Sequence, residues 1–284
     1  MKKFLIAITL LLFLTTVVAH AQWRSKTHDV YNALQKPADI TIDGELDDDE
    51  GWEGVFDTVK GTNGEPFCGV KNDTDGAGAE KAFESHGGGD WKGADDHETC
   101  FAIVWEPDAV YIGLSVTDDE HQNGGGQWNG DSLQLAFEPT GKRDGGLTLF
   151  LYNVALGNDA KNMLPVHNET TNGGPGLVAG EDVAITRNEN EKETYYEIAI
   201  TPEDLGLNSQ FKEGYEFGIG ICVNDGDKAA GQEGQKGWSG WYPRAVVHGK
   251  NSENTGLVIL TDEVLAVEPS NKLTTTWGKL KSTQ

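Results

Sequence analysis

Short alternating segments dominate this chain, and they leave few folds open to it. Residues 132–137 place Leu133, Leu135 and Phe137 on one face of an extended strand. Similar segments recur, separated by clusters of Gly, Asn and Asp; they are residues 38–44, 100–105, 109–116, 147–154, 182–186, 195–200, 215–223 and 256–260. The one helical pattern is a turn at residues 201–205, with Thr201 as N-cap and Pro202 at the first position. Many short strands with this spacing predict an all-β fold, either a sandwich or a barrel.

The first residues predict export. Lys2 and Lys3 precede an apolar run over residues 4–18, and Ala19-His20-Ala21 then offers a cleavage site. The alternative is an anchor that stays attached, but the run is shorter than the ~20 residues that a spanning helix needs. We therefore expect a signal peptide at residues 1–21 and no membrane insertion after its removal. The mature protein would be secreted, periplasmic or held at the cell surface.

The acidity of the chain restricts its partners. Its formal net charge is −24, which repels nucleic acids and excludes them as ligands. Such a surface favours cations, and calcium takes about six to eight oxygen ligands. Asp118 with Asp119, and Asp225 with Asp227, are candidate ligands for a structural calcium ion. The alternative is that the acidic residues keep the protein soluble and that the Asp pairs are turn residues.

The three cysteines contain no C-x-x-C pair, so a thiolate zinc site is not expected. Outside the cytoplasm a disulfide is permitted. Cys68 and Cys100 bracket a stretch rich in Gly and Asp, which favours pairing them. Cys222 lies in an apolar run and is expected to be a buried free thiol.

The chain divides into one domain with flanking segments. Residues 36–262 carry the strand pattern, interrupted by an inserted loop at about 72–98 that is rich in Gly and Asp. Residues 22–35 are a lead-in. Residues 263–284 form a tail whose Lys residues and helical spacing indicate either a docking segment or a frayed end.

Catalytic motifs are absent from the sequence. It contains no G-x-S-x-G, H-E-x-x-H or P-loop pattern. Carboxylates are too numerous to exclude a glycosidase pair by count, but nothing in the sequence places two of them across a cleft. We therefore predict that the protein is not an enzyme.

A series of motifs resembles the family 9 carbohydrate-binding modules. None is specific alone, but their order from residue 36 to residue 260 matches that family. In this chain they read Ile42-Asp43-Gly44 with Trp52, Trp105-Glu106-Pro107-Asp108-Ala109-Val110-Tyr111, Val116-Thr117-Asp118, Trp128-Asn129-Gly130-Asp131-Ser132, Val223-Asn224-Asp225, Gly237-Trp238-Ser239 and Thr255-Gly256-Leu257.

The resemblance implies an antiparallel, jelly-roll-like β-sandwich that holds a polysaccharide or oligosaccharide between two tryptophan rings and binds structural calcium. Trp128, in a glycine-rich loop before a strand, matches the first ring. The second ring falls near Trp238 and Trp241, with Tyr242 or His248 as substitutes. Polar partners of the sugar hydroxyls carry over to Gln134, Asn153 and Asn224, where amides both donate and accept hydrogen bonds.

Two other functions share such a scaffold. Related sandwich domains bind haem through an axial Met with His or Lys, and Met163 lies beside Lys161 and near His167. The other alternative is a surface or adhesion module whose ligand is a protein.

Overall fold

The computed structural model describes residues 23–73, 80–122, 130–156, 163–170, 177–227, 235–247 and 249–265. These residues form one α-helix, α1, at Trp52–Thr58, and a series of strands. The strands are β1 Val30–Gln35, β2 Asn72–Asp73, β3 Glu80–Lys81, β4 Glu84–Ser85, β5 His97–Glu106, β6 Ala109–Asp118, β7 Ser132–Glu138, β8 Phe150–Leu156, β9 Met163–Thr170, β10 Val183–Asn188, β11 Glu193–Ile200, β12 Glu216–Asp225, β13 Gly237–Trp241 and β14 Gly256–Val264.

The strands form one long sheet in the order β10-β11-β6-β5-β1-β14-β12-β7-β8-β9. Strand β13 pairs with β12, and β4 pairs with β13. The sheet curls on itself, so that β10 contacts β8 and β13 contacts β5 across the interior. The structure therefore confirms the predicted all-β sandwich.

Strand β1 is the main departure from the predicted architecture. It pairs with β14 and β5, and both pairings are parallel, whereas the other strand pairings are antiparallel. The sheet is therefore mixed. Strand β1 also lies within residues 22–35, which the sequence analysis treated as a lead-in. Its short run of Tyr31, Ala33 and Leu34 supplies buried side chains to the core, so the domain begins before residue 36.

Apolar side chains pack on both faces of the sheet. The main core lies between the two layers and includes Phe101, Leu135 and Trp241. A smaller cluster lies on the outer face of β7, β8 and β12 and contains Leu151 and Cys222 together with the other members Ala136, Leu149, Trp238, Ala245 and Val246. Aromatic residues can therefore be buried on either side of these strands.

Residues 38–44 form no strand, although their pattern alternates. The backbone N–H groups of Asp43 and Gly44 donate instead to the carboxylate of Glu197, at 3.0 and 3.1 Å. Trp52 Nε1 donates to the same carboxylate at 2.9 Å. Because these backbone groups bond to a side chain, they form no strand pairing. Residues 38–44 lie instead over the outer face of β11.

Helix α1 packs on the outer face of β5 and brings Trp52 against β6. A Cβ atom at Gly113 would lie 3.1 Å from that ring, so the bare backbone of glycine admits the indole. At seven residues, α1 is the longest helix of the described segments, and none of their helices has the length and apolarity needed to cross a membrane.

The predicted inserted loop is partly structured. Strands β2, β3 and β4 lie within residues 72–98, and β5 begins at His97.

A disulfide joins Cys68 to Cys100, and Cys222 is a buried free thiol. In the turn after β11, Thr201 Oγ1 donates to Asp204 Oδ2 at 2.6 Å. A 3-10 turn follows at Glu203–Leu205.

Candidate functional site

Three predicted sugar partners share the outer face of neighbouring strands. Gln134 on β7 lies directly opposite Asn153 on β8. Gln134 also lies opposite Cys222 on β12, two residues before Asn224. Because side chains alternate along a strand, Gln134, Asn153 and Asn224 point to the same side of the sheet. They share this side with the smaller apolar cluster, and we call the part that carries the three amides the polar face.

Asn224 is held at the centre of the polar face. Its Oδ1 accepts from Gln134 Nε2 at 3.0 Å, and its Nδ2 donates to Ser132 Oγ at 2.8 Å. Gln235 Nε2 also donates to Asn224 Oδ1. Asn224 is fully buried, whereas Gln134 keeps 8% and Asn153 keeps 4% of its surface exposed. Asn224 therefore acts as an anchor that fixes the Gln134 amide, and Gln134 and Asn153 remain closer to solvent.

The polar face continues across β13 to residues that the sequence analysis did not single out. Glu84 on β4 lies opposite Trp238, which lies opposite Asn224. Arg244 Nη2 contacts Glu84 Oε1 at 3.4 Å. The exposed His86 ring lies 5.3 Å from the Trp238 ring. A carboxylate, a guanidinium and an aromatic ring thus border the amides. The pairing of β4 with β13 brings Glu84 and His86 there, and Arg244 follows β13 in the chain.

Trp238 and Trp241 are not exposed stacking rings, which corrects the prediction. Trp238 is 2% exposed in the outer apolar cluster. Trp241 is 0% exposed in the main core, where its Nε1 donates to the carbonyl of His28 at 2.6 Å. Residues 238 and 241 point to opposite sides of β13. Because both sides of this strand are covered, both rings are buried.

Of the other predicted candidates for a stacking ring, two lie outside the described residues and one is buried. Trp128 and His248 lie outside the described residues. Tyr242 is 2% exposed, and its hydroxyl donates to Asp29, so it does not substitute as a surface ring. Trp91 is half-buried, stacks on Phe83 at 5.9 Å and donates to the carbonyl of His97 at 2.9 Å. Sequence reasoning missed Trp91 because its neighbours carry no strand pattern.

Two of the predicted calcium ligands meet in a buried cluster. Asp118 at the end of β6 and Asp225 at the end of β12 lie with His97 and Asp131. One ligand atom from each of these residues lies within 4.8 Å of the others, and all four side chains are buried. We call these residues the His–Asp cluster.

Asp119 does not belong to the His–Asp cluster, which corrects the third predicted ligand. Its side chain is exposed, and it follows Asp118, the last residue of β6. His121 takes its place beside the cluster. Its Nδ1 lies 3.3 Å from Asp118 Oδ2 and 3.6 Å from Asp131 Oδ2.

Burial strongly perturbs the acids of the cluster. Desolvation, reinforced by Asp118, raises the pKa of Asp225 to about 8 and raises the pKa of Asp131 well above its ordinary value. Burial also disfavours ionisation of Asp118, but the imidazoles of His121 and His97 outweigh it and lower the pKa of Asp118. Desolvation lowers the pKa of His97 to about 4, so its imidazole is neutral at pH 7. Neutral imidazole is the form that binds metal ions.

A shallow cavity of about 670 Å³ lies elsewhere on the molecule. It is lined by residues 45–47 and by the β10–β11 turn, including Arg187 and Tyr195. None of the predicted sugar-binding residues lines it, so it does not support the same function. Met163, the residue of the haem alternative, begins β9, and nothing further is described of its side chain.

Comparisons with known proteins agree with the fold. A family model described as "Carbohydrate family 9 binding domain-like" matches residues 77–263. Two solved structures of a family 9 carbohydrate-binding module from Caldicellulosiruptor kristjanssonii are similar in fold. The complex with cellotriose has a TM-score of 0.52 at 15% identity, covering 84% of this chain and 99% of that chain. The complex with glucose has a TM-score of 0.50 at 14% identity, covering 84% and 100%. No curated protein matches the chain significantly.

Proposed function

Because the chain belongs to the "Carbohydrate family 9 binding domain-like" family, we propose that it is a non-catalytic, extracytoplasmic protein that binds a glycan on the polar face. The observation that supports this most directly is the set of amides on β7, β8 and β12, which the register places side by side within the matched residues. The signal-peptide pattern at residues 1–21 supports the extracytoplasmic setting.

The polar face offers the chemistry that a pyranose requires. Hydroxyl groups both donate and accept hydrogen bonds, and the amides of Gln134 and Asn153 do the same. Glu84 and Arg244 at the border add a charged acceptor and a forked donor. The relatives of similar fold bind cellotriose and glucose. We therefore propose a glucose-containing oligosaccharide or polysaccharide as the ligand class.

Trp128 is proposed as the aromatic ring that covers the apolar face of the sugar. It lies in the sequence between Asp118 and Asp131, and Asp131 immediately precedes the strand that carries Gln134. Among the described residues, His86 offers an exposed aromatic ring at the border of the polar face, where it rests against Trp238. The proposal therefore keeps Trp128 as the first ring and replaces Trp238 and Trp241 by His86 as the second ring.

Calorimetry with cellotriose tests this arrangement. Trp128→Ala is expected to weaken binding by at least ~1.5 kcal/mol, the scale of losing a well-buried aromatic contact, with little change in stability. Trp128→Phe serves as the matched control and should retain part of the affinity because a ring remains. Gln134→Leu should weaken binding through the lost amide. Unchanged affinity in both Trp128→Ala and Gln134→Leu contradicts the proposed face.

The alternatives of the sequence analysis gain no support from the family assignment. A haem protein would show a Soret absorption band after reconstitution, and we expect none. We also expect no release of reducing sugar from cellotriose, in keeping with a binding function. A glycan array on the whole chain would identify the preferred sugar and linkage.

A further inference from the structure

We propose that the His–Asp cluster is a buried site for one divalent transition-metal ion, best matched by Zn²⁺, and that it is not a calcium site. His97 begins β5, Asp118 ends β6, Asp131 directly precedes β7 and Asp225 ends β12. The cluster therefore lies at one edge of the sandwich, where four segments of the sheet meet. This site goes beyond glycan binding and does not depend on it.

Several polar atoms of this region lack hydrogen-bond partners within the part of the chain that the structure describes. Both ring nitrogens of His97, both ring nitrogens of His121 and Asp118 Oδ2 are buried without a hydrogen bond. His97 is 1% exposed and His121 is 3% exposed. A buried polar atom without a hydrogen bond costs about 1–3 kcal/mol. Several such atoms around one point are the arrangement that a bound cation would satisfy.

The distances between these atoms suit ligands of a shared ion. His97 Nδ1 lies 3.7 Å from Asp225 Oδ1, while His121 Nδ1 lies 3.3 and 3.6 Å from the carboxylates of Asp118 and Asp131. Most of these distances are long for direct hydrogen bonds. Metal–ligand bonds of about 2.0–2.2 Å in a tetrahedron separate neighbouring ligands by about 3.3–3.6 Å. Small side-chain rotations would therefore bring the groups onto one ion.

The buried acids of the cluster need either protons or a cation to neutralise them. Three carboxylates are buried around neutral imidazole, and Asp96, Asp119 and Asp227 add negative charge nearby. Arg187 does not neutralise them, because its Nη2 donates to the backbone carbonyl of Asp118 at 2.7 Å and not to a cluster carboxylate. The nearby Lys92 is largely exposed and contacts Asp96. A divalent cation among the carboxylates would remove most of the repulsion.

The donor set discriminates between metals. Calcium takes about six to eight ligands, all of them oxygen. The cluster offers three carboxylates and an imidazole, with a second imidazole at its border. Imidazole with carboxylate suits zinc and neighbouring transition metals. Existing hydrogen bonds also orient the carboxylates, since Asp131 Oδ1 accepts from Gly226 N at 3.2 Å and Asp118 Oδ1 accepts from Glu120 N at 3.0 Å. Such outer contacts are typical of metal centres.

Metal analysis of the whole purified chain tests the proposal. After chelation and dialysis, we expect ZnCl₂ to bind at one ion per chain by calorimetry and to raise Tm, because an ion that binds the folded form stabilises it. CaCl₂ at the same concentration should have little effect. CoCl₂ should give visible absorption bands of a low-coordinate site with nitrogen and oxygen ligands.

Variants locate the ion. Asp225→Asn and His97→Ala should each weaken zinc binding by at least about 100-fold, since even outer partners of a metal contribute up to that much. Asp119→Asn is the matched control, because this neighbouring Asp is exposed and lies outside the cluster, so its zinc affinity should fall far less than that of Asp225→Asn, by no more than the loss of one nearby surface charge. If His97→Ala fails to fold, Asp225→Asn and the cobalt spectrum of the wild type decide the question.

Three results would overturn the site. Stabilisation by calcium without stabilisation by zinc would return the cluster to calcium. Zinc binding that survives in Asp225→Asn would place the ion elsewhere. No binding of either metal would leave the cluster as a protonated polar group. None of these results bears on the affinity for cellotriose, so the glycan proposal is tested separately.

Discussion

Replacing Trp241 separates a role in the core from a role in binding. Trp241 is 0% exposed, and its ring lies 5.4 Å from both Phe67 and Phe101. A Cβ atom at Gly256 would lie 2.5 Å from the indole, which shows how closely the backbone approaches it. Truncation would therefore leave a cavity that the neighbours cannot easily fill. Trp241→Ala should lower the free energy of unfolding by about 3–5 kcal/mol, the usual range for a buried aromatic residue.

Trp241→Phe isolates the polar part of this contribution. The phenyl ring keeps most of the apolar contacts but loses the Nε1–H donor to the His28 carbonyl. A buried acceptor without a partner costs about 1–3 kcal/mol, so we expect a loss in that range. Because this variant should remain folded, its affinity for cellotriose can be measured, and it should match that of the wild type.

Urea unfolding followed by circular dichroism measures the stabilities, and calorimetry measures the affinities. Trp128→Ala provides the opposite pattern, with weakened binding and nearly unchanged stability. The reasoning would be refuted if Trp241→Ala unfolded within ~0.5 kcal/mol of the wild type, the size of an ordinary surface substitution. It would also be refuted if Trp241→Phe lost binding at unchanged stability, because the ring would then contact the sugar.

Two further predictions concern buried polar groups. Glu197→Gln should lower the free energy of unfolding by about 1–3 kcal/mol, because one amide oxygen cannot accept from Asp43, Gly44 and Trp52 together. Glu45→Gln, at an exposed position, is the control. Burial raises the pKa of Glu197 to about 7 from 4.5, so the unfolding free energy should fall as pH rises across this interval, and the Gln variant should lack this slope. Alkylation of the unfolded, unreduced chain should modify Cys222 alone, whereas three modified cysteines would contradict the disulfide.

The sequence predicted the parts of the fold that local pattern controls. Strands were predicted at residues 100–105 and 109–116, and the structure places them in β5 and β6, which pair as a hairpin around Pro107. The strand expected at residues 38–44 was wrong because the buried carboxylate of Glu197, from far along the chain, takes their N–H groups. Strand β1 was missed because its alternation is short and its pairing partners are distant in sequence.

The candidate site was predictable only in part. The family resemblance named Gln134, Asn153 and Asn224, and alternation along β7, β8 and β12 in the observed register puts them on one face. The same rule already implied that Trp238 and Trp241, three residues apart, point to opposite sides. What the sequence did not reveal was that both sides are covered. His97 and Asp131 were also missed, because only the folded sheet brings them to Asp118 and Asp225.

The parallel pairing of β1 has a consequence for how the molecule is made. During synthesis β1 emerges from the ribosome long before its neighbour β14, and it pairs with both β14 and β5. The two layers of the sandwich cannot be joined until β14 has been synthesised. Folding therefore depends on contacts between residues that are remote in sequence, which makes it slow. Most of the chain must therefore be synthesised before the sandwich can close around β1.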